Sequence, residues 1–400
     1  MRKGWEIKKL ADACIVERGS SPRPIEKYFS TSKEGVNWIK IGDTKGVDKY
    51  IFSTKQKITK EGAKQSRYVK EGDLILSNSM SFGNPFIMKT TGYIHDGWFV
   101  LRLPEYIDPE YFYHLLTSPN VQEQFKTLAS GSVVKNISGD LVKKVNLPIP
   151  PLSEQKQIVA LLDEAFAAID KAKANTEKNL QNAKELFESY LQGVFENKGK
   201  GWVEEELGEV CNIIGGGTPS KSVSKFYNGN ILWATVRDMK NDIITSTEHR
   251  ITQDAVKNSS TNIIPKNNVV IATRVGLGKA STIKYDTAIN QDLKGVIPKS
   301  SSKLSVDFLF RWFKSISQII IDEGTGATVQ GVKLTFINSL KIPLPSIQQQ
   351  KVIVSKFDSI EAETKKLETI YQQKLNDLEE LKKSILQKAF RGELTSKELV

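Results

Sequence analysis

Cys14 and Cys211, with His95, His114 and His249, are the only cysteines and histidines in the 400-residue sequence. They are too few and too scattered for a zinc ribbon or a disulfide framework. Both cysteines sit in apolar, strand-like surroundings, which reads as core rather than as a Cys/His nucleophile pair. A methyltransferase acting on an exocyclic amine needs a signature such as Asn-Pro-Pro-aromatic. Asn84-Pro85-Phe86 lacks the second proline, and no glycine-rich cofactor loop precedes it. The tract Gly215-Gly216-Gly217-Thr218-Pro219-Ser220 is not followed by Gly-Lys-Ser/Thr, so it is no Walker loop. Arg274-Val275-Gly276-Leu277-Gly278-Lys279 fails the same pattern. Either tract could bring backbone amides to a phosphate, and either could be a tight turn.

What remains is the chemistry of recognition. Asn and Gln pair bidentately with adenine, and Arg with guanine. Polar side chains beside the glycine turns are therefore the candidate DNA contacts. In the first half these are Lys40, Asp43, Asn78 and Asn84. In the second they are Thr218, Arg237, Asp238, Arg274, Lys279, Asn290 and Gln291.

The elements that must position them come in two copies. Trp5–Pro22 aligns without gaps on Trp202–Pro219, with Trp5/Trp202, Leu10/Leu207, Cys14/Cys211, Gly19/Gly216 and Pro22/Pro219 identical. Leu147–Phe195 aligns on Ile342–Phe390 with 16 of 49 positions identical, which places the better-kept part of the repeat there. Between these windows the copies diverge, and only landmarks persist. Trp38-x4-Asp43 answers Trp233-x4-Asp238, Leu74–Ser77 answers Val269–Thr273, Ile94-His95-Asp96 answers Ile289-Asn290-Gln291, and Gly131 answers Gly326. The repeat predicts a domain over 1–148, a helical spacer over 149–200, a second domain over 201–344 and a second spacer over 345–400.

The spacers read as long helices. Glu, Lys, Ala, Leu and Gln dominate them. Seam positions step by four and three through Leu162, Phe166, Ile169, Lys173, Thr176, Leu180, Ala183, Phe187, Tyr190 and Val194. The second copy gives Ile353, Phe357, Ile360, Thr364, Leu367, Tyr371, Lys374, Leu378, Leu381 and Ile385. That is a coiled-coil period, over a length on the order of 65 Å. Ser346-x-x-Gln349 forms a capping box for the second helix. An intramolecular antiparallel pair and an intermolecular coiled coil both satisfy the pattern, and the alternation of helices with domains favours the first. The domains read as mixed α/β. Strands are expected at Trp38–Ile41, Leu74–Leu76, Trp98–Leu103, Ile231–Val236 and Val269–Ala272, and helices at Pro109–Leu116 and Val306–Phe313. Trp5, Trp38, Trp202 and Trp233 are expected in the core.

The formal net charge is +11, and it is unevenly placed. Residues 1–150 carry 23 basic against 16 acidic side chains, and residues 201–345 carry 17 against 13. The helical segments nearly cancel, at 7 against 8 and 10 against 9. Two basic domains flanking neutral spacers suit a polyanion bound at two places, although basic residues can also simply decorate a surface. No apolar run reaches 18 residues, so no membrane span is expected. Met1-Arg2-Lys3-Gly4-Trp5 opens no secretory signal, and a cytoplasmic location is the expectation.

Several features together resemble the specificity subunit of type I restriction–modification enzymes. They are Trp-x4-Leu at each domain start, Gly-Gly-Gly-Thr-Pro at 215–219, Pro-x-Pro-x4-Gln-Lys at 148–156 and 343–351, and Ser-x-Leu-Gln-x-x-Phe at 189–195 and 384–390. The resemblance covers essentially the whole chain. It implies two target recognition domains, each reading half of a bipartite, asymmetric DNA sequence. It implies an antiparallel coiled coil that sets half-site spacing and docks two adenine methyltransferase subunits. Restriction subunits would join in the full complex. The chain itself would perform no chemistry and hold no cofactor or metal. S-adenosylmethionine, ATP and Mg would belong to the partner subunits. The alternatives are a DNA-binding coiled-coil scaffold that stands alone and an enzyme with cryptic motifs.

Overall fold

Strands that are apolar at every position need cover on both faces, and the central strand of each domain shows how this is met. All of Leu74–Ser77 is buried, with Leu74 and Leu76 facing one cluster of apolar side chains and Ile75 facing another. Val269–Ala272 repeats the split, Val269 and Ile271 to one side, Val270 and Ala272 to the other. The computed structural model describes residues 4–78, 83–129, 138–326 and 330–395; Gly131 lies outside them. The chain divides into two units, 1–177 with 373–400, and 178–372. Each combines one domain with a stretch of both long helices.

The two domains share one topology, save for an extra edge strand, Phe29–Ser30, in the first. In the first, Glu6–Lys9 pairs antiparallel with Asn146–Ile149, which ties the two ends of the domain together. One sheet runs in the order Ile15–Arg18, Trp98–Arg102, Leu74–Ser77, Pro85–Met88, Tyr50–Ile51. The other runs Phe29–Ser30, Gln56–Ile58, Val36–Ile39, Gly92–Ile94, Arg67–Val69. In the second domain Val203–Glu206 closes on Lys341–Leu344. Its first sheet is Cys211–Gly215, Leu293–Pro298, Val269–Ala272, Ala280–Ile283, Ile243–Ile244. Its second is His249–Ile251, Ile231–Ala234, Thr287–Ile289, Asn262–Ile264. The expected strands are present, most of them shifted by a residue or two at their ends. Trp5, Trp38 and Trp233 are buried, whereas Trp202 is only half-buried, edge-on to Phe308.

Helices Pro109–Thr117 and Val306–Ser315 follow the sheets, capped by the side chains of Asp108 and Ser305. Each packs on the long helices Leu152–Glu196 and Ile347–Phe390. Ser346 and Gln349 form the expected capping box of the second long helix. In the first unit the long helices run antiparallel. Lys382 lies over the Phe166 ring and 3.8 Å from Asp170, and Lys173 meets Glu379 at 2.6 Å. The seam of the first helix lies where the heptads place it as far as Ala183, with Leu162, Phe166, Ile169, Thr176 and Ala183 buried; beyond it Leu191 and Phe195 are buried, and the expected Tyr190 and Val194 only half-buried. The second departs from its expected phase after Thr364. Tyr371, Leu378 and Ile385 stay half-buried as expected, but Leu367, Lys374 and Leu381 are exposed, and the neighbouring Glu368, Leu375 and Lys382 are half-buried in their place.

A buried glutamine joins each domain to the helix that follows. Gln155 accepts from the Asp108 amide at 2.8 Å and donates to the carbonyls of Tyr106 and Pro150. Gln350 does the same with Ser305, Lys303 and Pro345. All six bonds go to main chain, which explains why this residue is identical in copies whose domain sequences differ.

One socket on the domain helix is built in two ways. His114 is buried, edge-on to Phe166, with Nε2 3.4 Å from Lys49 Nζ and 3.5 Å from Asp163. In the other copy Arg311 meets Asp358 and Glu361, each at 2.7 Å. Burial, reinforced by Lys49, brings His114 down to about 4, against the opposing pull of Glu110 and Asp108; Lys382 adds to the lowering. The depressed value fixes the sign. The neutral ring contributes fully above the unfolded value near 6.5 and loses that contribution as pH falls toward 4, on the order of 3 kcal/mol in all. The first unit should therefore lose hydrogen-exchange protection between pH 6.5 and 4, and His114→Gln should flatten that dependence. An unchanged slope in the variant would place the acid-sensitive group elsewhere.

Candidate nucleic-acid interface

Strand Val36–Ile39 hands the chain to a short 3-10 turn at Ile41–Thr44, and Ile231–Ala234 does so to Val236–Asp238. The aspartate of each Trp-x4-Asp landmark holds its turn. Asp43 Oδ2 accepts from the Lys40 amide at 2.8 Å and Oδ1 from the Lys55 amide at 3.2 Å. Asp238 Oδ2 accepts from the Thr235 amide at 2.7 Å and Oδ1 from the Glu248 amide at 2.8 Å. Both carboxylates are thus engaged with the main chain, and they build the turn that presents their neighbours. Lys40 sits half-buried at the head of the first turn.

Asn78 is buried, its Nδ2 donating to the Asp96 carbonyl at 2.8 Å. Asn84 is exposed, and its amide donates to Ser77 Oγ at 3.1 Å. At the place Asn290 holds in the second copy, the first has His95, whose ring tilts against Trp38 at 6.3 Å. Burial lowers the His95 pKa.

The second domain gathers four of its seven candidates around one cleft of about 860 Å³: Thr218, Arg237, Asn290 and Gln291. The Thr218 hydroxyl donates to Gln291 Oε1. Asn290 is buried and locked to Asp292, donating to Oδ2 at 2.9 Å and accepting from its amide at 3.2 Å. Arg274 lies beside the same Asp292 carboxylate at 3.8 Å. Burial lowers the pKa of nearby Lys294, whose Nζ donates to the Gln291 carbonyl at 3.2 Å. Arg237 is exposed, and among the described residues its guanidinium has no partner. Lys279 falls elsewhere, lining a second cavity of about 1030 Å³ with Lys314 and Lys365.

The residues missed from the sequence are His249, Glu248, Lys221 and Val275, all on the cleft wall. The strand register of Trp233 opposite His249 puts that ring 6.3 Å from the indole. No spacing in the chain announces such a pairing. Burial pushes the thiols of Cys14 and Cys211 up to about 12, which leaves neither as a thiolate near neutral pH. Among the described residues no three His, Cys, Asp or Glu side chains are grouped to hold a metal, and no helix is long and apolar enough to cross a membrane.

The family of the type I restriction modification DNA specificity domain matches residues 2–181 and again 199–380. The chain belongs to this family. Its two specificity-domain repeats each take in a domain and the greater part of the long helix behind it. The chain is 35% identical over 240 residues to the EcoR124I/EcoR124II specificity subunit of Escherichia coli, covering 56% of this chain and 58% of that one. It is 28% identical over 181 residues to the MjaIX specificity subunit of Methanocaldococcus jannaschii, covering 43% and 41%. These matches therefore span about half the length of the relatives. A solved structure concerned with assembly and conformational transition of the type I R-M system shares the fold over 98% of this chain and 99% of its own, at a TM-score of 0.77 and 21% identity.

Proposed function

We propose that the chain is the DNA-specificity subunit of a type I restriction–modification enzyme. Each domain reads one half of a bipartite, asymmetric duplex target. The long helices pair as a coiled coil, set half-site spacing and dock two methyltransferase subunits. Adenine methylation with S-adenosylmethionine, and ATP- and Mg-dependent cleavage by restriction subunits, are the partners' chemistry. The chain itself is non-catalytic and works in the cytoplasm.

One observation carries this reading. Eight positions identical in both long helices are exposed in both. In the first unit they are Lys156, Asp163, Ala167 and Lys171 with Glu380, Leu381, Ser384 and Gln387. In the second they are Lys351, Asp358, Ala362 and Lys366 with Glu185, Leu186, Ser189 and Gln192. The spacing puts each foursome largely on one helix face. Asp163 and Asp358 also serve the socket within each unit, beside His114 and Arg311. Burial cannot account for identity at the other seven positions, and Leu186 and Leu381 are 53% and 47% exposed. Two like surfaces under two unlike reading domains suit two copies of one partner on an asymmetric target.

The test maps methylated adenines in cells carrying the partner methyltransferase with and without this chain. Methylation at one bipartite sequence is expected only when the chain is present. Methyl transfer by the purified chain alone with S-adenosylmethionine and Mg would overturn the reading.

A further inference from the structure

The two domains clamp the same turn and display different side chains from it. In the second, Asp238 accepts from the Thr235 amide, from the Thr235 hydroxyl at 3.0 Å and from the Glu248 amide, while Thr235 Oγ1 accepts from the Arg237 amide at 3.3 Å. The main chain of Arg237 is thus fixed, and its guanidinium stands free on the wall of the cleft. The other polar groups gathered there are largely committed. Thr218 is bonded to Gln291, and Asn290 to Asp292.

A second feature marks the same wall. Val275 is 52% exposed and held at φ +43°, a conformation that a β-branched residue adopts only under strain. A Cβ on the adjoining Gly276 would lie 2.8 Å from Val236 Cγ1, so this strained loop is seated directly on the turn that carries Arg237. Strain in an exposed apolar residue brings no burial in return, and such strain clusters where a ligand is bound. In the first domain the matching turn carries Gly42, exposed and with nothing within 4 Å of a built Cβ.

We propose that Arg237 is a base-reading residue of the second domain, recognising a guanine in the second half-site through its O6 and N7 in the major groove. A fixed backbone with a free planar fork suits bidentate base recognition. Lys221 on the same cleft, a point charge on a flexible stem, suits a phosphate. Gly42 leaves the first domain without a reader at this position, which contributes to the asymmetry of the target. The assignment rests on the specificity-subunit reading and goes beyond it.

The experiment selects preferred targets from a randomised duplex library with the chain assembled with its methyltransferase subunits, for wild type, Arg237→Ala, Arg237→Lys and Lys221→Ala. Arg237→Ala should accept any base at one position of the second half-site, with affinity for the original target down roughly 5- to 150-fold. Arg237→Lys should retain part of the guanine preference. Lys221→Ala should weaken all sequences alike and reduce the salt dependence by about one phosphate contact. A wild-type-like target for Arg237→Ala, or a uniform loss across sequences, overturns the assignment alone. A wild-type complex with no sequence preference overturns the specificity-subunit reading as well.

Discussion

Glu361→Ala is expected to destabilise the second unit by about 3 kcal/mol, read as lost hydrogen-exchange protection in residues 178–372. The Arg311 side chain is only 10% exposed and rests against Glu361 and Asp358. It also packs on the rings of Phe187 and Phe310, with its carbon 5.4 and 5.6 Å from their centroids. Removing one partner of a buried pair leaves a charge that folding has already stripped of water, at a cost of about 3–5 kcal/mol. The lower end applies because Asp358 remains, more exposed than Glu361 and so a weaker anchor. Glu361→Gln keeps a hydrogen-bond acceptor and should lose less. The decisive variant is Arg311→His with Glu361→Phe, which installs the neutral pair that the first copy uses. If the socket is one design with two fillings, this double change should recover most of the loss. A double variant no better than Glu361→Ala alone would mean that the two sockets differ in more than these residues.

The socket also shows what a sequence reading reaches and where it stops. Positions kept for the main chain were legible, because the repeat prints them twice. Trp38 and Trp233 are buried, and Gln155 and Gln350 bind backbone; Asp43 and Asp238 stood out as positions but were read as candidate DNA contacts, whereas their carboxylates hold turns. The fold class and the two long helices followed from the same redundancy. The wall of the cleft was not so legible. Thr218, Arg237, His249, Val275 and Gln291 meet through strand pairing and loop packing across more than 70 residues of chain, and no local period encodes that meeting. The helix seam misled for a different reason. A heptad reading follows apolar residues, and Leu381 is apolar. Yet Leu381 and Leu186 are both exposed, whereas half-buried Lys382 sets its ammonium over the Phe166 ring. Amphipathic side chains at a seam carry no apolar signature.

Replacing residues 5–150 with residues 202–345 of the same chain should abolish recognition of the first half-site and produce a target in which both halves are the second one. Such a switch can span roughly three to seven orders of magnitude in preference between right and wrong sequences. The junction is favourable on both sides. The incoming domain closes its own ends by pairing Val203–Glu206 with Lys341–Leu344, so it brings that sheet with it. Gln155 then needs only carbonyls and one amide, and Lys303, Pro345 and Ser305 already supply them to Gln350. The socket is the obstacle. Arg311 would arrive against Phe166 where it is used to Glu361, and against Lys382 where it is used to Phe187. The plain exchange should therefore be destabilised by about 3 kcal/mol, a buried guanidinium left with only Asp163, at the place of Asp358, and facing a like charge. Adding Phe166→Glu and Lys382→Phe rebuilds the second copy's socket and should restore stability, with the same doubled half-site. Target selection and unfolding measured on both versions separate the two effects. If the rebuilt exchange still selects the original first half-site, the domains are not independent readers. If both versions are equally stable, the charge of Arg311 is not what fits each domain to its helices.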